Sequence, residues 1–213
     1  MLDINFAQLF IGFSVLLFSL TVHEMAHAWT ADSLGDPTAR LGGRVTLNPL
    51  AHADPIGTFL FPLVAMVGGV PLIGWAKPVP VNVRRLRNQR RDFVLVAAAG
   101  PVSNLAIAFV AALLLTVVPV SPVVLGEASV SAPLVAFLGL AVRLNVLLAV
   151  FNLLPIPPLD GGNVLSGLLP RGVARQFDQI RPYGFLLLYA LLLTDGFYYF
   201  VVRPSNFIRA WLP

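Results

Sequence analysis

The nine residues TVHEMAHAW, at positions 21–29, end a long apolar stretch with a cluster of ionisable side chains. Residues 4–22 contain no Asp, Glu, Lys or Arg, and His23, Glu24 and His27 then follow at the spacing H-E-x-x-H. An apolar run of about 20 residues can cross a bilayer as a helix. Ionisable groups in such a segment are costly and mark functional positions. The stretch therefore predicts a membrane helix with a polar site near its C-terminal end.

The composition extends this interpretation to the whole chain. Of 213 residues, 57% are hydrophobic and 11% are charged, whereas soluble domains carry about 25% charged residues. Too few charges remain to cover a soluble surface, so we predict a single integral-membrane domain over residues 1–213. The predicted fold class is an all-α polytopic bundle of about five to six transmembrane or re-entrant helices, with short membrane-associated β-strands near the active site.

The basic residues indicate membrane topology rather than nucleic-acid binding. The formal net charge is +4, and five of the fourteen Lys and Arg residues lie between Arg84 and Arg91. Such a cluster beside an apolar span is typical of a cytoplasmic flank, so we expect no nucleic-acid partner. The chain has no cysteine, which excludes disulfides and thiolate metal sites. Any bound metal must use His, Asp or Glu.

Five apolar segments and an apolar-aromatic tail follow from hydropathy and from the positions of Pro and Gly. Arginines before the third segment and after the fourth place both flanks in the cytoplasm. If the second segment crossed the membrane, the arginine cluster would lie outside, so we expect this segment to dip in and return. The tail spans, re-enters or lies in the interface. In chain order the segments are about 4–34, 56–73, 93–118, 133–154 and 183–194, and the tail is 197–213.

Two short segments are predicted to be strand-like. Arg44–Asn48 alternates in polarity, and the prolines in Lys77–Val83 disfavour helix in the residue before each of them. Prolines confine such a strand to an edge. We hypothesise that both segments lie near the polar site and hold an extended peptide by strand addition. A plain connecting loop is the equal alternative.

The cluster near position 25 has the chemistry of a hydrolytic metal site. His23 and His27 are four residues apart, so on a helix they share a face and can reach one metal ion. Neutral imidazoles suit zinc, and a third ligand would leave one position open for water. Glu24 projects close to that ion, where a carboxylate can take a proton from a water acidified by zinc. The pattern therefore predicts one zinc ion per chain.

The third ligand has candidates among the remaining His and the Asp residues near apolar segments. Asp160 is favoured, because it follows the fourth segment on the same predicted side as the end of the first. Prolines precede Asp160 and two glycines follow it, so the chain turns sharply and the carboxylate can point back into the bundle. An ordinary turn aspartate is the alternative. His52, the only other histidine, is a candidate for tuning access to the site.

Three motifs together resemble those of the site-2 protease family of intramembrane zinc metalloproteases. They are HEMAH at 23–27, AGPVSN at 99–104 and NLLPIPPLDGG at 152–162. The resemblance extends over nearly the whole chain and is to a compact bacterial or archaeal branch, with no room for a PDZ or CBS domain. It implies zinc held by His23, His27 and Asp160, with Glu24 as the catalytic acid/base.

The resemblance also implies an activity and a location. The expected reaction is hydrolysis of peptide bonds within or near transmembrane segments of membrane-protein substrates, in the lipid bilayer of a prokaryotic cell, with the active site towards the cytoplasm. The alternative is a membrane zinc-binding or zinc-transport protein without proteolytic activity. Transport usually needs ligands along a path, whereas the ligands predicted here gather at one point.

Three asparagines are further candidates at the site. Asn152 begins the third motif and is our candidate for stabilising the oxyanion. Asn145 lies on nearly the same helix face, where a hydrogen bond between helices is the simpler interpretation. Asn104 is predicted either to form a hydrogen bond to a metal-binding side chain or to make a packing contact.

Overall fold

Three long apolar helices form the centre of the molecule. The computed structural model describes residues 6–61, 64, 75–118 and 131–213. Helices α1 (Phe6–Ser33), α4 (Gln89–Val117) and α5 (Ala132–Asn152) are each long and apolar enough to cross a membrane. They coincide with the first, third and fourth predicted segments. The prediction of an all-helical membrane protein is therefore confirmed at the level of three candidate spans.

The other described helices are short, and they leave the predicted number of membrane helices unconfirmed. Residues 171–193 and 198–209 meet at 90° and can supply one further crossing at most, which gives three or four among the described residues. The predicted re-entrant segment 56–73 lies largely outside these residues. The short α-helices are α2 (Thr38–Leu41), α3 (Pro49–His52), α6 (Asp160–Leu168), α7 (Arg171–Asp178), α8 (Gly184–Leu193) and α9 (Arg203–Arg209). Single turns of other helix types occupy Pro55–Leu60, Val83–Arg85, Arg181–Tyr183 and Tyr198–Val202.

Small side chains let α1, α4 and α5 pack closely against one another. Ala28, Ala108, Ala141 and Ala149 are among the buried residues of these helices. Lipid tails are as apolar as leucine, so membrane helices associate through close packing and hydrogen bonds rather than through the hydrophobic effect. Many large apolar side chains of the same helices are exposed, as lipid contact requires.

Helix α4 begins at Gln89, earlier than the predicted start at Phe93. The Asn88 side chain accepts a hydrogen bond from Arg91 N, and Asp92 Oδ2 accepts one from Asn88 N at 2.7 Å. This reciprocal cap satisfies donors that the first turn of a helix leaves free. The prediction placed the start of this helix too late, because arginines lower the hydropathy of its capped first turn.

The two predicted strand-like segments form no strand. Residues 44–48 and 77–82 are irregular backbone, and Pro78 and Pro80 lack the N–H groups that a β-ladder requires. The N–H groups of Val79 and Asn82 bond to side chains instead. The prediction of strands near the site is therefore not confirmed, and this conformation gives no support to substrate binding by strand addition.

A buried carboxylate connects the end of α1 to residues 77–82. Asp36 is fully buried and accepts hydrogen bonds from Thr38 N at 3.1 Å, Thr38 Oγ1 at 2.5 Å and Asn82 N at 2.5 Å. Burial raises the pKa of a carboxyl, but these hydrogen bonds outweigh burial and lower the pKa of Asp36 below its usual value. The ionised carboxylate thereby fixes this segment beside α1.

Candidate metal centre

Two histidines of α1 lie one helical turn apart and face α4. His23 and His27 are buried, and their Nε2 atoms are 3.0 Å apart. His27 Nδ1 lies 2.7 Å from Val96 O, and His23 Nδ1 lies 2.6 Å from Asn104 Oδ1. Carbonyl oxygens only accept hydrogen bonds, so each Nδ1 carries a proton, and in the neutral imidazole each Nε2 then presents a lone pair.

Asp160 approaches both imidazoles from the first turn of α6. Its Oδ2 lies 3.2 Å from His23 Nε2 and 3.4 Å from His27 Nε2. The chain turns so tightly here that a Cβ on Gly161 would lie 2.2 Å from Leu153 O. Only glycine avoids that clash. The sequence around Asp160 thus aims its carboxylate back at α1.

With both imidazoles neutral, as metal binding requires, three acceptor atoms converge without a donor between them. Asp160 Oδ2 is buried and has no hydrogen-bond partner, and it lies with the two Nε2 atoms in a group whose members are all within 4.8 Å of one another. Crowded, desolvated lone pairs repel each other unless a cation lies among them. Two imidazoles and one carboxylate form a zinc ligand set that leaves a fourth position open. The residues present therefore fit a catalytic zinc ion.

Gly100 of α4 leaves room beside the converging nitrogen atoms. A Cβ at this position would lie 2.3 Å from His27 Nε2 and 2.5 Å from His23 Nε2. Such distances are far below van der Waals contact, so only glycine is compatible with both imidazoles in place. The helix continues through Gly100 and Pro101, and the imidazoles therefore explain this glycine better than any break in the helix does.

Glu24 lies beside the ligand group without belonging to it. Its side chain is half-buried, and Oε2 accepts a hydrogen bond from Val79 N at 3.0 Å. Val79 lies between Pro78 and Pro80, so it supplies the one backbone N–H of that tripeptide. The irregular segment 77–82 thus orients the Glu24 carboxylate.

Two other predicted residues bond to backbone carbonyls. The Asn152 amide donates to Leu148 O of its own helix at 3.0 Å. His52 is fully buried in α3, with Nε2 2.9 Å from Thr46 O. Among the described residues, the group of possible metal ligands does not include His52.

Several residues at the site were not identified from the sequence. Val96 acts through its backbone carbonyl, which residue type does not reveal. Gly100 belongs to the motif AGPVSN, but only the position of the imidazoles shows why this residue is glycine. Ser19, which hydrogen bonds connect to His23 through Asn145 and Asn104, was detectable because it precedes His23 by four residues and so lies on the same helix face.

These features define a class of protein, a helical membrane protein in which two histidines and one aspartate form a possible metal-binding group next to a glutamate. The family model described as Peptidase family M50 matches residues 11–125 and 117–194. The chain belongs to this family.

Curated relatives agree with the family assignment. The chain is 43% identical over 179 residues to "Putative zinc metalloprotease YwhC" of Bacillus subtilis, covering 84% of this chain and 78% of that protein. It is 35% identical over 181 residues to "Putative zinc metalloprotease Rip2" of Mycolicibacterium smegmatis, covering 84% of this chain and 65% of that protein. No solved structure gives a significant match. The predicted class, a membrane zinc metalloprotease, is confirmed by the family and these relatives.

Proposed function

We propose that His23, His27 and Asp160 hold one zinc ion and that Glu24 is the acid/base of peptide-bond hydrolysis. The observation that carries the proposal is the buried Asp160 Oδ2, which lacks a hydrogen-bond partner and lies within 3.4 Å of both Nε2 atoms. Membership of a peptidase family supplies the reaction class.

Each residue has a separate task in this proposal. Zinc bound here supplies Lewis acidity, which lowers the pKa of water and polarises the scissile carbonyl. Glu24 takes a proton from the attacking water and passes it to the leaving amine. The Val79 N–H bonded to Oε2 holds the Glu24 carboxylate in place for this transfer. Val96 O and Asn104 Oδ1 hold the two imidazoles in the orientation that presents Nε2.

Asn152 is proposed to stabilise the oxyanion that forms on the substrate. An asparagine amide serves this purpose because its N–H groups donate to developing negative charge. In this structure one N–H of the amide donates to Leu148 O, and the second N–H of the same nitrogen is the donor proposed for the substrate. Its position at the end of α5, eight residues before Asp160 in the sequence, supports the assignment.

The proposed substrates are membrane proteins that are cut within or near a transmembrane segment. Two of the three proposed ligands, His23 and His27, lie on α1, which is apolar enough to span a membrane. This position favours substrates that are themselves in the membrane. The arginines between 84 and 91 favour a cytoplasmic location for that side of the protein. We further propose a multi-pass protein of the prokaryotic cell membrane, with one domain over residues 1–213 and a re-entrant segment at 56–73.

Removal and return of the metal test this function. We expect the purified protein in detergent to cleave a transmembrane reporter and to lose nearly all activity after dialysis against a zinc chelator. One equivalent of zinc should restore cleavage. Magnesium serves as the control, because it prefers six oxygen ligands and should not restore activity. Equal cleavage by metal-free and zinc-loaded protein would contradict the proposed function.

A further inference from the structure

A buried chain of hydrogen bonds leads from His23 across all three long helices. His23 Nδ1 donates to Asn104 Oδ1 at 2.6 Å, and Asn104 Nδ2 donates to Asn145 Oδ1 at 3.0 Å. Asn145 Nδ2 donates to Ser19 Oγ at 2.8 Å, and Ser19 Oγ donates to Val15 O at 2.7 Å. Ser19, Asn104 and Asn145 are all fully buried. The chain of bonds begins and ends on α1 and passes through α4 and α5.

Backbone carbonyls fix the direction of every bond in this chain. One amide atom of Asn145 lies 2.9 Å from Ala141 O, which can only accept, so that atom must be the nitrogen. The other Asn145 atom is then an oxygen, and the Asn104 atom that faces it must be a nitrogen. The remaining Asn104 atom is an oxygen, and His23 Nδ1 must be the donor to it.

We propose that Ser19, Asn145 and Asn104 are positioning residues that hold His23 in the tautomer with Nδ1 protonated. The inference rests on the proposed function, in which His23 Nε2 binds zinc. We call this chain of side-chain hydrogen bonds the relay. His27 needs no relay, because Val96 O, a backbone carbonyl, fixes its tautomer directly. At His23, side chains fix the tautomer. The orientation of this ligand therefore depends on how α1, α4 and α5 are placed relative to one another.

Buried amides also hold membrane helices together, and the test must separate that role from positioning. Ser19 and Thr21 provide a matched pair on α1. Both hydroxyls are buried and donate to a carbonyl one turn earlier, Val15 O and Leu17 O respectively. Among the bonds described, only Ser19 also accepts from Asn145. Ser19→Ala and Thr21→Val therefore each remove one buried hydroxyl, but only the first removes an acceptor from the relay and leaves Asn145 Nδ2 with Ala141 O alone.

Cobalt binding and histidine tautomers give two independent measurements. Cobalt affinity and the visible absorption spectrum report the ligand geometry, and ¹⁵N NMR of the metal-free protein reports the tautomers of its three histidines. We expect Ser19→Ala to weaken cobalt binding about fivefold, the effect of one net hydrogen bond. Asn145→Leu should weaken it roughly tenfold or more. Both should shift the spectrum and reduce the population with Nδ1 protonated at His23, whereas Thr21→Val should match wild type.

The proposal is wrong if folded Ser19→Ala keeps both the wild-type cobalt affinity and the wild-type His23 tautomer. This variant decides the question even if Asn145→Leu does not fold. Asp160→Asn is measured in the same series. Undiminished cobalt binding by Asp160→Asn would contradict the assigned metal ligands, while the tautomer in metal-free protein would still decide whether the relay acts on His23.

Discussion

Glu24→Gln is expected to keep its zinc and to lose cleavage of a transmembrane reporter by roughly 10³-fold. Glutamine has the shape of glutamate, and its amide oxygen can still accept the hydrogen bond from Val79 N. It cannot take a proton from water. Because Glu24 lies outside the ligand group, zinc content should match that of wild type when metal and kcat are measured on the same sample.

Glu127→Gln is the matched control for this variant, since Glu127 is the only other glutamate in the chain. Glu127 lies outside the described residues, and we expect its replacement to leave cleavage unchanged. Wild-type cleavage by Glu24→Gln would refute the acid/base role. Loss of zinc together with activity would show instead that Glu24 supports the metal centre.

Gly100→Ala is expected to abolish both zinc binding and cleavage. The added Cβ would lie 2.3 Å from His27 Nε2 and 2.5 Å from His23 Nε2, so both imidazoles would have to move away from Asp160. Loss of an outer contact to a ligand typically costs 10–100-fold in metal affinity. Displacement of two ligands should exceed that loss, and a competition titration with a chelator measures it.

Gly139→Ala on α5 provides the control for Gly100→Ala. A Cβ at Gly139 would meet nothing within 4 Å, and alanine favours helix by about 1 kcal/mol over glycine. This variant should bind zinc and cleave the reporter like wild type. If folded Gly100→Ala binds zinc as tightly as Gly139→Ala, the metal does not occupy the position inferred between the two histidines and Asp160.

The three long helices could be predicted from sequence because a membrane span depends on a property that each segment carries by itself. Runs of apolar residues place α1, α4 and α5 to within a few residues. The irregular conformation of the two segments that were predicted to be strand-like could not be predicted in the same way. The backbone donors of Val79 and Asn82 bond to Glu24 and Asp36, and these long-range side-chain contacts replace the ladder that local polarity suggested.

The candidate site shows the same division between local and long-range information. His23, Glu24 and His27 were predictable because one helix sets their spacing. Asp160 required a guess about topology, since it is 133 residues beyond His27. The space at Gly100 and the relay through Asn145 depend on how α4 and α5 pack against α1, and no single segment contains that information.

The zinc affinity of Asp160→Asn tests the central claim most directly. Asp195→Asn, at an exposed aspartate, makes the same chemical change away from the site and serves as the control. We predict that wild type and Asp195→Asn bind one zinc ion per chain with equal affinity. Asp160→Asn should bind zinc at least roughly 100-fold more weakly, because the charged third ligand is lost. Equal affinity in all three proteins would contradict the proposed metal centre.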